Sequence, residues 1–337
     1  MNTVSETGYG RISVLIPFIA AIGALGSALN LATGAYDTSL LQAISFLIQD
    51  DGSNAAFSVR ELRLPRVLCA FGVGAALALS GALIQVITRN PLGDPGLTGV
   101  TGGAALGVAV CMTAITVSPS VMIVFGIAGG LMAAFMTMLI AGNTRNRPIK
   151  LILAGVAVSV FCIAATSTLM ILSKSSLQTL YFWMIGGFTN RGWPEFSLFW
   201  PWALVGALVS LAVCPILSYL KFDDASAASM GLNAGRWRVI AGLASVVLAA
   251  ASVAVAGPIG FIGFVTPHLS SLLLGRQQSK MGLWLVVSAL VGGGVVAWSD
   301  ALVRLVFEGR VPAGILITIV GGCLFLLMAR RLGQVAR

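Results

Sequence analysis

Charge is what this sequence has least of. Only 9% of its 337 residues are Asp, Glu, Lys or Arg, against about 25% in a soluble domain. So few charges cannot cover a water-facing surface, and no polar stretch is long enough to fold separately. Histidine is nearly missing too. His268 stands alone, with no Cys, Asp or Glu beside it, and a single imidazole does not make a metal site. The five cysteines (Cys69, Cys111, Cys162, Cys214, Cys323) show no CxxC spacing and fall inside apolar runs, as small buried hydrophobes do. No GxxxxGK[ST] occurs, which excludes ATP binding through a P-loop. The eleven acids fall in loops or near segment ends, so no ion relay at membrane depth is expected. The net charge of +9 does not point to nucleic acid, because Lys and Arg lie in short loops, where they set membrane topology.

What is abundant is apolar length. Hydrophobic residues make up 58% of the chain, and the mean hydropathy is +0.97. The apolar runs are near 20 residues, the length of a spanning helix, rather than alternating segments of about ten, as in a barrel. They fall at 12–33, 67–87, 97–116, 119–141, 151–172, 197–219, 238–256, 261–274, 281–303 and 312–329. The first is too long for a signal-peptide core and lacks a cleavage site, so a retained span is expected. The eighth, about 21 Å as a helix, needs its Gly- and Pro-rich lead, Gly257–Phe261, shielded by protein.

The expectation is therefore an all-α, polytopic membrane protein of about ten transmembrane helices, one domain over 1–337. Ten spans place both termini on one side. Of the 20 Lys and Arg, thirteen lie on the side of the termini and seven opposite, so both termini are expected in the cytoplasm. Glycines spaced by four, at 99, 103 and 107 and at 126 and 130, let helix backbones approach closely, most simply within one chain.

Two polar stretches interrupt this pattern. Arg89–Gly96 carries prolines at 91 and 95, which hold a non-helical hinge where backbone must line a path. Lys221–Arg238 is the longest inner loop. Its Asp223–Met230 portion predicts a short helix, started by Asp223 and Asp224, filled by small residues and stopped at Gly231. Such a helix suits insertion into a groove on a partner.

Over nearly its whole length the chain resembles the permease subunits of bacterial ABC importers for ferric siderophores, haem and cobalamin, the FecCD type. The matching residues are Arg63-Leu64-Pro65-Arg66, Gly74–Leu77, Ser80-Gly81-Ala82, Arg89-Asn90-Pro91-Leu92, Asp94-Pro95-Gly96 and Gly102–Gly107. They continue with Leu153–Ala157, Phe182-Trp183, Ala227–Gly231, Gly257–Gly263, Pro267-His268 and Asp300.

The resemblance implies ten spans, a second permease subunit (identical or homologous), a cytoplasmic ABC ATPase dimer, an extracytoplasmic substrate-binding protein and residence in the bacterial inner membrane. It implies no cofactor and no metal site. Asp223, Asp224, Ala227, Ala228, Ser229, Met230 and Gly231 match the loop that contacts the ATPase. Arg63, Arg66 and Arg304 match arginines that dock the binding protein, for which a planar guanidinium suits carboxylates. Asn90 and Leu92 match a cytoplasmic gate. A ferric siderophore is the implied cargo; haem or cobalamin are the alternatives, and an ion-coupled secondary transporter is the rival of another class. Two departures stand out: Arg310-Val311-Pro312 puts a cation where the family has an acid, and Cys323 stands where proline is common.

Overall fold

A computed structural model describes residues 3–34, 38–114, 118–142, 148–172, 183–220, 232–275 and 280–335. Each of the ten apolar runs is a helix. In chain order these are α1 (Thr3–Ala32), then two short helices, α2 (Leu40–Ile48) and α3 (Asn54–Phe57), and then α4 (Leu64–Thr88), α5 (Val100–Ala114), α6 (Pro119–Ala141) and α7 (Pro148–Leu172). There follow α8 (Trp193–Leu220), α9 (Ala234–Ala256), α10 (Ile262–Leu274), α11 (Met281–Phe307) and α12 (Ala313–Val335). Among the described residues, seven stretches are long and apolar enough to cross a membrane. The apolar helices Val100–Thr113, Ile262–Leu274 and Ala313–Leu327 are shorter.

Burial separates central from peripheral helices. About three quarters of the apolar window is buried in α4 (78%) and α9 (72%), but only 22% in α7 and α8. The outward faces of α7 and α12 carry large apolar side chains such as Phe161, Ile171, Ile319 and Leu326. Alpha4 and α9 are zipped by hydroxyls at membrane depth: Ser80 Oγ donates to the Ser245 carbonyl and Ser245 Oγ to the Ser80 carbonyl. The four-spaced glycines work within the chain. A Cβ on Gly103 would lie 2.5 Å from the Gly129 carbonyl oxygen, and Gly126 and Gly130 face Ala254 and Ala250, so α6 is seated between α5 and α9.

The structure differs from the sequence expectation at several element edges. The connection ahead of α4 is helical over much of residues 40–63. Alpha2 opens with a capping box between Ser39 and Gln42, and Ser58–Arg63 forms a π-helical turn running straight into α4. The cause is Pro65: it has no N–H to close an α-type bond, and the wider bond from Leu64 N–H to the Val59 carbonyl carries the chain past it. Alpha5 starts only at Val100, because Gly99 is left-handed (φ 85°) after the 3-10 turn Pro95–Thr98, so a second span is as short as the expected marginal one. Alpha9 begins four residues earlier than the apolar run, capped by the Asn233 side chain on Arg236 N–H.

Between α9 and α10 the backbone leaves helical geometry over Gly257–Phe261. Its neighbours are bonded to protein rather than left to lipid: Gly187 N–H donates to the Ala256 carbonyl, and Gly314 N–H to that of Gly186.

Candidate functional site

The two ends of α4, about 37 Å apart at helical rise, each carry a polar assembly. At the N-terminal end, Arg66 grips Asp300 of α11 with both arms of its fork: Nε to Oδ2 at 2.9 Å and Nη2 to Oδ1 at 2.7 Å. Asn30 of α1 donates to the same Oδ2 at 2.8 Å. Arg304, one turn beyond Asp300, donates to Asn30 Oδ1 and to the carbonyls of Asn30 and Thr33. Arg63 donates to the carbonyls of Leu31 and Ala32 and to Thr38 Oγ1. Both arginines thus satisfy carbonyls at the C-terminus of α1, where the helix dipole favours cations.

Of the three arginines for which the resemblance implies docking, Arg66 and Arg304 therefore lie about one fully buried carboxylate, Asp300, and Arg63 sits beside them on the end of α1. Arg63 is only 2% exposed. A polar recess of about 450 Å3, lined by Thr33, Thr38, Ser39 and Arg304, opens beside them. Two exposed pairs rim this end, Arg60 with Asp50 (3.0 Å) and Arg310 with Glu308 (2.7 Å); Arg310, the cation in the acid's place, answers its own neighbour. Asp300 lies inside α11 rather than at its edge, and Asn30 completes the cluster. A lone Asn in an apolar run was the signal for Asn30.

At its C-terminal end α4 stops in a chain of local bonds. Arg89 is left-handed (φ 50°), and Asn90 N–H donates to the Gln85 carbonyl. The Asn90 Oδ1 accepts from Leu92 N–H at 2.9 Å, and the Asp94 Oδ2 accepts from Gly96 N–H at 2.8 Å. These are Asx turns, in which a side-chain oxygen takes the place of a backbone carbonyl as acceptor. The non-helical hinge expected from Pro91 and Pro95 is present, and both expected gate residues are built into it. Burial pushes the Asp94 carboxyl up to about 6, against the Gly96 bond that lowers it.

Of the remaining expected site residues, Asp223, Asp224, Ala227, Ala228, Ser229, Met230 and Gly231 lie outside the described residues, as does Phe182; Trp183 is buried. Among the described residues no group of three His, Cys, Asp or Glu could hold a metal ion.

Residues 20–331 match the model of the FecCD transport family. The chain belongs to this family. Among similar FecCD-type proteins, it is 36% identical over 321 residues to the Fe(3+)-citrate import system permease protein YfmD of Bacillus subtilis, covering 95% of this chain and 94% of that one. It is 34% identical to the Fe(3+) dicitrate transport system permease protein FecC of Escherichia coli, over 82% of this chain and 83% of that one. To the cobalamin import system permease protein BtuC of Halobacterium salinarum it is 35% identical, over 81% and 73%. The fold matches a solved structure described as an inward-facing conformation of a putative metal-chelate type ABC transporter, with TM-score 0.81, 27% identity and coverage of 95% and 99%. As a FecCD chain it is a multi-pass permease subunit of an ABC importer and not itself an enzyme.

Proposed function

We propose that this permease carries a ferric siderophore or similar ferric chelate across the bacterial inner membrane, both its termini cytoplasmic, driven by ATP hydrolysed on a partner ATPase dimer. The observation that carries the proposal is α4 itself: one unbroken helix joins the arginine cluster to the hinge. An extracytoplasmic binding protein docks over the cluster, where its carboxylates exchange with bonds that Arg63, Arg66 and Arg304 now make inside the chain. Three guanidiniums and one carboxylate leave an excess of positive charge that favours acidic partners. At the other end Asn90 and Leu92 form the cytoplasmic gate, and Asp223–Gly231 meets the ATPase. A second permease subunit completes the path.

Iron is favoured over cobalamin because YfmD, named for Fe(3+)-citrate import, matches over 95% of this chain, against 81% for the cobalamin permease of Halobacterium salinarum. The test is uptake into proteoliposomes holding the permease, its ATPase and its binding protein, with radio-iron ferric citrate, haem and cobalamin offered in turn. ATP-dependent accumulation of the iron chelate is expected. Accumulation of haem or cobalamin alone overturns the iron reading, and uptake driven by an ion gradient without ATP overturns the importer reading.

A further inference from the structure

Gln85 sits one turn before the gate hinge, 9% exposed in a largely apolar helix whose other polar side chains are Arg66, Ser80 and Thr88. Its side-chain amide donates at 3.3 Å to two carbonyls of the first turn of α10, those of Gly263 and Phe264. The Gly263 carbonyl needs such a donor. In an α-helix it would accept from the N–H four residues on, but that residue is Pro267, which has none. Gly263 is buried, so solvent does not replace the lost bond. The face of α4 is shaped for this approach: Gly81, one turn from Gln85, lies so close to the Gly263 carbonyl that a Cβ there would stand 1.9 Å from its oxygen.

The same residue is bound to the hinge. The Gln85 carbonyl accepts from Asn90 N–H at 3.1 Å, and an added Cβ on Gly93 would lie 3.0 Å from the Gln85 nitrogen. The hinge also touches α10 directly, since a Cβ on Gly263 would meet Asp94 Oδ1 and Pro95 Cδ, both at 2.8 Å. Alpha10 is also held by Trp284 of α11, which shares a recess with Gln85 and Asn90 and whose Nε1 donates to the Pro267 carbonyl at 3.0 Å. Gln85 is therefore bonded through its backbone to the gate and through its side chain to a broken helix.

We propose that Gln85 is a positioning residue that makes the gate hinge and the first turn of α10 move as one body during transport. The pairing with Pro267 serves this end. The proline leaves one carbonyl of α10 without its α-helical donor, and the Gln85 side chain from α4 fills that place, so the hinge cannot shift without carrying α10 or giving up a buried hydrogen bond. An α10 with its own complete ladder would need nothing from α4.

Pro267 also supplies the test, which rests on the importer reading of the complex. Gln85→Leu alone removes both the tie and the satisfaction of a buried carbonyl. Adding Pro267→Ala restores a backbone N–H to Gly263, so the double variant is satisfied but untied. The permease is reconstituted with its ATPase in nanodiscs. Thermal stability and ATP hydrolysis are then measured with and without the binding protein. The Q85L/P267A pair is expected to melt near the wild type while its stimulation by the binding protein falls at least fivefold. Stimulation within twofold of wild type in the double variant means that Gln85 serves only to satisfy the carbonyl, and overturns the proposal. Should the leucine variant fail to reach the membrane, Gln85→Asn in the P267A background keeps an amide one methylene too short to reach, and is judged by the same criterion. A wild-type complex that shows no stimulation at all overturns the importer reading instead.

Discussion

Arg66 and Asp300 are 234 positions apart and meet through two near-parallel hydrogen bonds at 2.9 and 2.7 Å, with Asp300 wholly buried. The pair joins α4 to α11, and Asn30, bonded to the same carboxylate, adds α1. A buried carboxylate of this kind is held in place by what would be lost on its removal.

Asp300→Ala should therefore be the most damaging change at the N-terminal end of α4. It leaves the Arg66 and Arg304 charges without their shared counter-ion, a loss of about 3–5 kcal/mol for a broken buried pair. Thermal melts in detergent should show a strong drop in Tm, smaller for Asp300→Asn. Arg66→Lys should fall between them, because an ammonium cannot reproduce the two-armed contact. An unchanged melt for Asp300→Ala would mean that the pair is dispensable.

Gly81→Ala tests the approach of α10 to α4. With its Cβ 1.9 Å from the Gly263 oxygen, one helix must back away. Overpacking in a tight core costs about 1–3 kcal/mol, and this contact is against backbone, which yields least. The variant should accumulate poorly in membranes, whereas Gly242→Ala, where an added Cβ meets nothing within 4 Å, should be neutral.

Asn90→Ala removes the acceptor for Leu92 N–H but leaves the helices untouched. A loss of about 1 kcal/mol for one such bond corresponds to roughly a fivefold shift between hinge conformations. The expected result is ATP hydrolysis that continues while uptake per ATP falls severalfold. Equal losses in both would place the effect in the fold rather than in the gate.

The Asp94 carboxyl gives a pH dependence with a definite sign. Its value in the folded chain, about 6, lies above the ordinary 3.8. The folded state therefore favours the protonated form, and this group's contribution to stability falls as pH rises from about 4 to 6, then levels off. Asp94→Asn should flatten that part of the Tm profile. A slope that survives the substitution would belong to another group.

Much of this was legible in the sequence, and the failures have physical causes. The ten spans follow from apolar runs, since lipid leaves the backbone few alternatives. The hinge follows from Pro91 and Pro95. The clustered arginines were harder: a cation near a span end reads as solvent-facing, and only the tertiary structure brings Asn30, Arg66, Asp300 and Arg304 together from three helices. The π turn at Ser58–Arg63 was missed because Pro65 more commonly begins a helix than reroutes one. Gln85 was missed because its partner, the Gly263 carbonyl, is backbone and leaves no pattern.

The central claim is that this chain moves its cargo by means of another subunit's ATP hydrolysis. The most direct measurement is uptake of radio-iron ferric citrate by proteoliposomes holding the permease, its co-purified ATPase and its binding protein. It is run with ATP, and with an ATPase variant lacking its P-loop lysine, in the absence of any ion gradient. Uptake that requires ATP and vanishes with the variant is predicted. Uptake that persists without ATP, or a permease that purifies with no P-loop partner and still transports, would contradict it.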